Sequence, residues 1–210
     1  MNSRRAGLIL GLMVVPLLIF AFRAASDEEN KLTIFTFSTP VEVPGVALGS
    51  GTYAFKLADT LSDRDIVQIF DKDRQHLYAT VLGINDYTPQ PSDKTIIRFS
   101  ETTKGGPPAI KEWFYPGDEY GVEFVYPQKR AAELAKASNQ PVPSMPSDLS
   151  SNITNPDDTN LQSAGVKGMA DAPLKAEEPN GNEVELDEII IAVPTKVPEG
   201  SNTTHDVNSD

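Results

Sequence analysis

The stretch EWFYPGDEYGVEFVYP, residues 112–127, sets six aromatic side chains around Pro116 and Gly117. A Pro-Gly pair between two alternating runs marks a hairpin turn, and the register of that hairpin decides which rings enter a core. A four-residue loop, 116–119, places Tyr115 opposite Tyr120, Trp113 opposite Val122 and Lys111 opposite Phe124. One face is then almost wholly aromatic and apolar, while the other opposes Glu112 with Glu123, an unfavourable pair of like charges. A five-residue loop, 116–120, instead pairs Phe114 with Val122 and Glu112 with Phe124. It turns Trp113 and Tyr115 outward, beside Lys111 and Glu123, as a stacking platform for a sugar or a peptide. A chain with one Trp and no Cys needs its largest ring in the core, so burial of Trp113 is expected. The alternative makes Trp113, Tyr115, Lys111 and Glu123 the candidate binding residues.

Outward from the hairpin the period stays at two. The runs at 31–37, 52–58, 65–70, 76–84, 94–100, 109–115 and 121–126 are β-branched and aromatic and of strand length. Breakers separate them: STPVEVPG at 38–45, GSG at 49–51, DKDRQ at 71–75, TPQPSD at 88–93 and KGGPP at 104–108. Gly45, Gly49 and Gly51 are expected to supply positive-φ turns, and Asp71 to Gln75 the tip of a hairpin. About seven short strands without an intervening helical pattern predict an all-β fold, an antiparallel β-sandwich or small barrel. A short helix closes it. Pro127 suits a first helical turn, and PQKRAAELAKAS at 127–138 puts Ala131, Leu134 and Ala135 on one face, with Lys129 and Glu133 spaced for an i, i+4 pair.

The aromatics bound the domain. All sixteen precede Pro127, and aromatic side chains dominate cores, which predicts a folded β-domain over 31–138. From 139 to 210 there are 3 Lys and no Arg against 13 Asp and Glu, so a disordered acidic tail is expected. Within it, EVELDEIIIAVPT at 183–195 is an apolar patch able to form a short strand. Residues 1–26 open with Arg4 and Arg5 and run apolar from Ala6 to Phe22. That pattern reads as a signal peptide, or, if uncleaved, as a membrane anchor through residues 6–22. Either way the acidic chain is exported, without disulfides to brace it.

The same residues narrow the chemistry. His76 is the one histidine of the expected domain, His205 lying in the tail, and it begins a strand after a turn, with no serine elbow or thiol to serve. Asp71 and Asp73 with His76 lack the remaining ligands of a calcium loop and read as turn acids. Glu112 and Glu123 have the spacing of a glycosidase-like pair only if they face each other, an arrangement a solvated hairpin face also produces. No phosphate loop or dinucleotide fingerprint is present, and a net charge of −12 gives no electrostatic footprint for nucleic acid. No cofactor and no metal are implied. The sequons NIT at 152–154 and NTT at 202–204 matter only in a glycosylating host.

Three blocks in order, KLTIFTFSTPVEVPGVALGSGTYAFKL, DIVQIFDKDRQHLYATVLGI and WFYPGDEYGVEFVYPQKRAAELAKA, resemble a family of small exported bacterial proteins of unknown function over residues 31–137. The resemblance implies an exported protein of the cell envelope and brings no activity or site residues with it. The expectation is a non-catalytic structural or interaction module, partnered by an envelope protein or a polysaccharide. The alternative is a carbohydrate- or peptide-binding module using the aromatic hairpin.

Overall fold

The computed structural model describes residues 31–61, 64–102, 106–149 and 163–186. The expected leader, including 6–22, both sequons, His205 and the Ile189–Ile191 patch lie outside these residues. Among those described, no helix is long and apolar enough to cross a membrane.

Among the described residues, thirteen strands form two sheets, accompanied by two helices. The larger sheet comprises β1 (Leu32–Phe37), β2 (Val41–Val43), β3 (Val46–Leu48), β4 (Gly51–Leu61), β5 (Arg64–Asp71), β6 (Leu77–Tyr87), β7 (Ile96–Ser100), β8 (Ala109–Phe114) and β9 (Tyr120–Phe124). Its order is β1-β4-β5-β6-β9-β8-β2-β3, with β7 also paired to β8. All neighbours are antiparallel except β2 and β8. The period of two does its work here. Tyr53 and Phe55 of β4, Val67 and Ile69 of β5, and Ala79 and Val81 of β6 alternate onto one face and are buried. Trp113 joins them, its ring edge-on to Phe35 at 6.4 Å and to Phe55 at 6.3 Å. Strands β1 and β8 are far apart along the sheet, so these contacts mean that the sheet curls until its ends share one core. Lys31 and Asp118 pair across the same gap.

The all-β expectation therefore holds, with more strands than the sequence pattern revealed. β2 lies within the stretch read as a breaker and β3 directly follows it, because Pro44 and Gly45 make a tight turn between them and Gly45 takes φ 80°. Gly49 and Gly51, expected at positive φ, do not adopt it. They lie under Tyr53, whose hydroxyl donates to the Gly49 carbonyl at 3.0 Å.

The second sheet corrects the domain boundary. β10 (Tyr126–Pro127), β11 (Val142–Met145), β12 (Lys175–Glu177) and β13 (Glu183–Glu185) form it in that order. α1 (Gln128–Ser138) crosses over between the parallel strands β10 and β11, as parallel pairing requires. Its buried face is Ala131, Leu134 and Ala135, as the spacing predicts. Glu133, however, pairs with Arg130 at 2.7 Å rather than with Lys129. Arg130 also grips Glu42 through two hydrogen bonds of 2.8 and 2.7 Å, tying α1 to β2. α2 (Ala164–Ala170) packs against β6, and Arg64 donates to the carbonyls of Ala170, its last residue, and of Ala172 just beyond it. The segment expected to be a disordered tail from 139 is thus folded at 142–145 and over 163–186. Val142, Met145, Val166, Met169, Ala172 and Leu174 all enter the common core. They supply the apolar area that composition averaged over 72 residues conceals.

Candidate functional site

The β8–β9 hairpin positions two sites, one on each face. Its pairs are Glu112 with Glu123, Trp113 with Val122 and Phe114 with Gly121. This is the four-residue-loop register, and it overturns the outward platform: Trp113 is 2% exposed. The four candidate binding residues are divided by it. Trp113 and Tyr115 belong to the inner face, whereas Lys111 and Glu123 meet on the outer one.

On the outer face the like-charge pair is relieved by cations from neighbouring strands. Between the pairs Arg98–Glu112 and Phe99–Ile110, β8 carries one extra residue, Lys111. Such a bulge re-aims a side chain; here Lys111 Nζ sits 2.8 Å from Glu112 Oε1 and 3.9 Å from Glu123 Oε1. Arg98 of β7 reaches the other Glu112 oxygen at 2.5 Å while its guanidinium lies 5.1 Å above the Phe114 ring. Gly121 accommodates that ring: a Cβ there would meet Phe114 Cδ1 at 2.5 Å. Burial pushes the Glu112 carboxyl up, but hydrogen bonds from Lys111 and Arg98 outweigh it and hold Glu112 below the usual range. Glu123 has only the more distant lysine, and burial, with Asp86 and Glu112 nearby, raises it to about 7. Asp86 of β6 is also raised, by burial first and then by Glu112. The face expected to be solvated is a half-buried network of three acids and two bases.

On the inner face, at the end where Lys31 meets Asp118, the curl leaves a cavity of about 190 Å³. Trp113, Tyr115 and Tyr120 give it aromatic walls, and Leu57 and Val122 add apolar surface. Three polar residues line it: Lys31 just before β1, Asp65 of β5 and Asn85 of β6. Asp65 is 4% exposed, and the Trp113 indole nitrogen, also buried, has no acceptor among the described residues. At the rim, Tyr120 and Tyr87 are largely exposed, with ring centroids 5.5 Å apart.

Sequence reasoning missed Lys31, Asp65 and Asn85. Asp65 had a readable signal, since it alternates with Val67 and Ile69 and so belongs on their inward face. The Lys111 bulge had none. The other candidates are structural. Asp71 Oδ1 accepts from the amides of Gln75 and His76 at 2.7 and 2.9 Å, closing the β5–β6 turn. His76 is exposed with its ring edge-on to Tyr78 at 4.7 Å. Comparison with known proteins found no matching family model, no matching curated protein and no matching solved structure.

Proposed function

We propose that the protein is an exported, non-catalytic interaction module of the cell envelope, and that it works by holding a small ligand in the inner-face cavity. The cavity carries this reading. Aromatic walls and a few convergent polar groups are the usual make-up of a ligand site, and the mouths of curled β-sheets are a usual place for one. The basic, apolar opening of the chain and the resemblance over 31–137 support export and an envelope setting. The state of Glu112 supports a non-catalytic role. Both of its oxygens are engaged, by Arg98 and by Lys111, so it is poorly placed as a nucleophile or base opposite Glu123.

Two measurements test the proposal. Mass spectrometry of the protein from its native envelope should find a mature chain lacking the basic, apolar leader or retaining it as an anchor. Recovery of the full chain from the cytoplasm alone would refute export. Trp113 is the only Trp in the chain and lines the cavity, so its fluorescence reports occupancy directly. Fractionated envelope glycans and peptides should include one that changes the emission saturably; no response from any fraction would refute the ligand site.

A further inference from the structure

We infer that Asn180 is a site of spontaneous, non-enzymatic deamidation held in check by the turn between β12 and β13, and that its conversion to isoaspartate and aspartate releases β13.

The turn is EPNGN at 178–182, and it contains the one Asn-Gly pair of the chain. The Glu178 amide donates to the Asn182 carbonyl at 2.8 Å, and the Gly181 amide donates to the Glu178 carbonyl at 2.9 Å. With Pro179 in second place and Gly181 at φ 87°, this is a type I turn followed by a left-handed residue, a common three-residue hairpin loop. Asn180 is exposed at its tip. Its Oδ1 accepts from the Asn182 amide at 2.7 Å, and its Nδ2 donates to Glu178 Oε2 at 3.0 Å.

The chemistry needs only the neighbouring glycine and water. The Gly181 nitrogen gives its proton to solvent and bonds to Asn180 Cγ. The Cγ–Nδ2 bond breaks, the leaving nitrogen takes a proton from water, and ammonia departs from a five-membered succinimide. Water then opens the ring at one of its two carbonyls, giving aspartate or isoaspartate. Glycine favours the attack because no Cβ shields its nitrogen, and the hydrogen bond from Asn182 draws electron density away from Cγ.

The fold opposes the first step. The Gly181 N–H is engaged with the Glu178 carbonyl, and a type I turn holds its third residue near ψ of about 0°, which keeps the Gly181 nitrogen away from Cγ. Cyclisation therefore waits for the turn to open. Opening is local, because β13 has three residues and ends its sheet. Conversion then prevents reclosure. An aspartate sets a carboxylate oxygen where the Asn180 amide nitrogen donates to Glu178, and an isoaspartate adds a methylene to the backbone of the loop. Both loosen the pairing of Lys175–Glu177 with Glu183–Glu185.

The test holds the full chain at pH 8 and 37 °C, folded and in urea that unfolds it, and follows each Asn by peptide mass spectrometry with isoaspartate separated from aspartate. Asn180 should be the first Asn to convert, with isoaspartate among its products, and conversion should be at least about tenfold faster in urea than in the folded chain. In the converted folded chain, amide exchange at Ala176 and Val184, which face each other across the two strands, should be faster than in the parent. An Asn180 that stays intact in the folded chain, or that gives aspartate alone, overturns the site. Equal rates in the folded and unfolded chain overturn the restraint by the turn. Unchanged exchange at Ala176 and Val184 after conversion overturns the release of β13.

Discussion

Replacing Glu123 by Gln tests whether the outer-face network is understood. The folded chain moves this carboxyl from 4.5 to about 7, burial being the main cause. At 1.36 kcal/mol per tenfold change in proton affinity, that is about 3 kcal/mol of preference for the protonated form. Because the folded state binds the proton more tightly than the unfolded state, the contribution is fully present below about pH 4.5. It is lost as pH rises through about 7. Gln has the shape and charge of the protonated side chain. At pH 5 the variant should therefore exceed the parent by less than about 1 kcal/mol. At pH 8 the variant should be the more stable by about 2–3 kcal/mol, or a Tm higher by about 5–10 °C. Asp86, raised in the same direction, and Glu112, lowered, also titrate, so the parent's own pH profile mixes several groups. The difference between variant and parent isolates Glu123. A gap that is the same at pH 5 and pH 8, or that narrows as pH rises, would show that Glu123 is ionised in the fold and that Lys111 is its full partner.

Three further outcomes follow from packing. Trp113→Ala removes a ring that touches Phe35 and Phe55 and should cost about 3–5 kcal/mol by denaturant unfolding; a cost under about 1 kcal/mol would place the ring outside the core. Gly121→Ala should destabilise by about 1–3 kcal/mol, because its Cβ would meet the Phe114 ring at 2.5 Å, and Gly121→Ala combined with Phe114→Leu should cost less than the separate effects summed. Ending the chain at Asn139 uncovers the core surface that Val142, Met145, Val166 and Met169 bury and should lower Tm by more than 10 °C or abolish soluble folding; a truncated chain that melts like the parent would restore the shorter domain.

The strands that sequence reading located share a property. Each of 52–58, 65–70 and 76–84 carries enough alternating β-branched or aromatic residues to declare its own inward face, and each became a long strand of the curled sheet. The hairpin at 112–127 was legible for the same reason, down to its register: Trp113 and Val122 opposite each other make an apolar pair, and the rival register would have exposed the largest ring. What stayed illegible depends on partners distant in the chain. Lys111 reaches Glu112 and Glu123 only because β8 bulges against β7, and nothing in AIKEWF marks the position of that extra residue. The cavity draws Asp65, Asn85 and Trp113 from three strands and Lys31 from the residue before β1, and only the curl that brings β1 to β8 assembles them.

The C-terminal segment makes the same point in terms of energy. Strands of three or four residues such as VPSM and KAE are too short to show a period, and an isolated pair of strands that short is not stable in water. They fold here because β10, arriving directly after β9, offers β11 an edge to pair with, while α1 packs on β11 and β12 and α2 packs on β6, so that their apolar side chains join the common core. The second sheet therefore depends on surface that the large sheet and α1 provide. On this view, destabilising the large sheet through Trp113→Ala should lose both sheets together, whereas mutating the second sheet, for instance Val142→Ala with Met169→Ala, should loosen 142–186 first. Amide exchange at Val142, Ala176 and Glu177 should accelerate in the double variant well before exchange at Phe55 and Ile69 does. Equal acceleration at all five would mean that the two sheets are one cooperative unit, and that the C-terminal segment contributes to the core on the same footing as the hairpin itself.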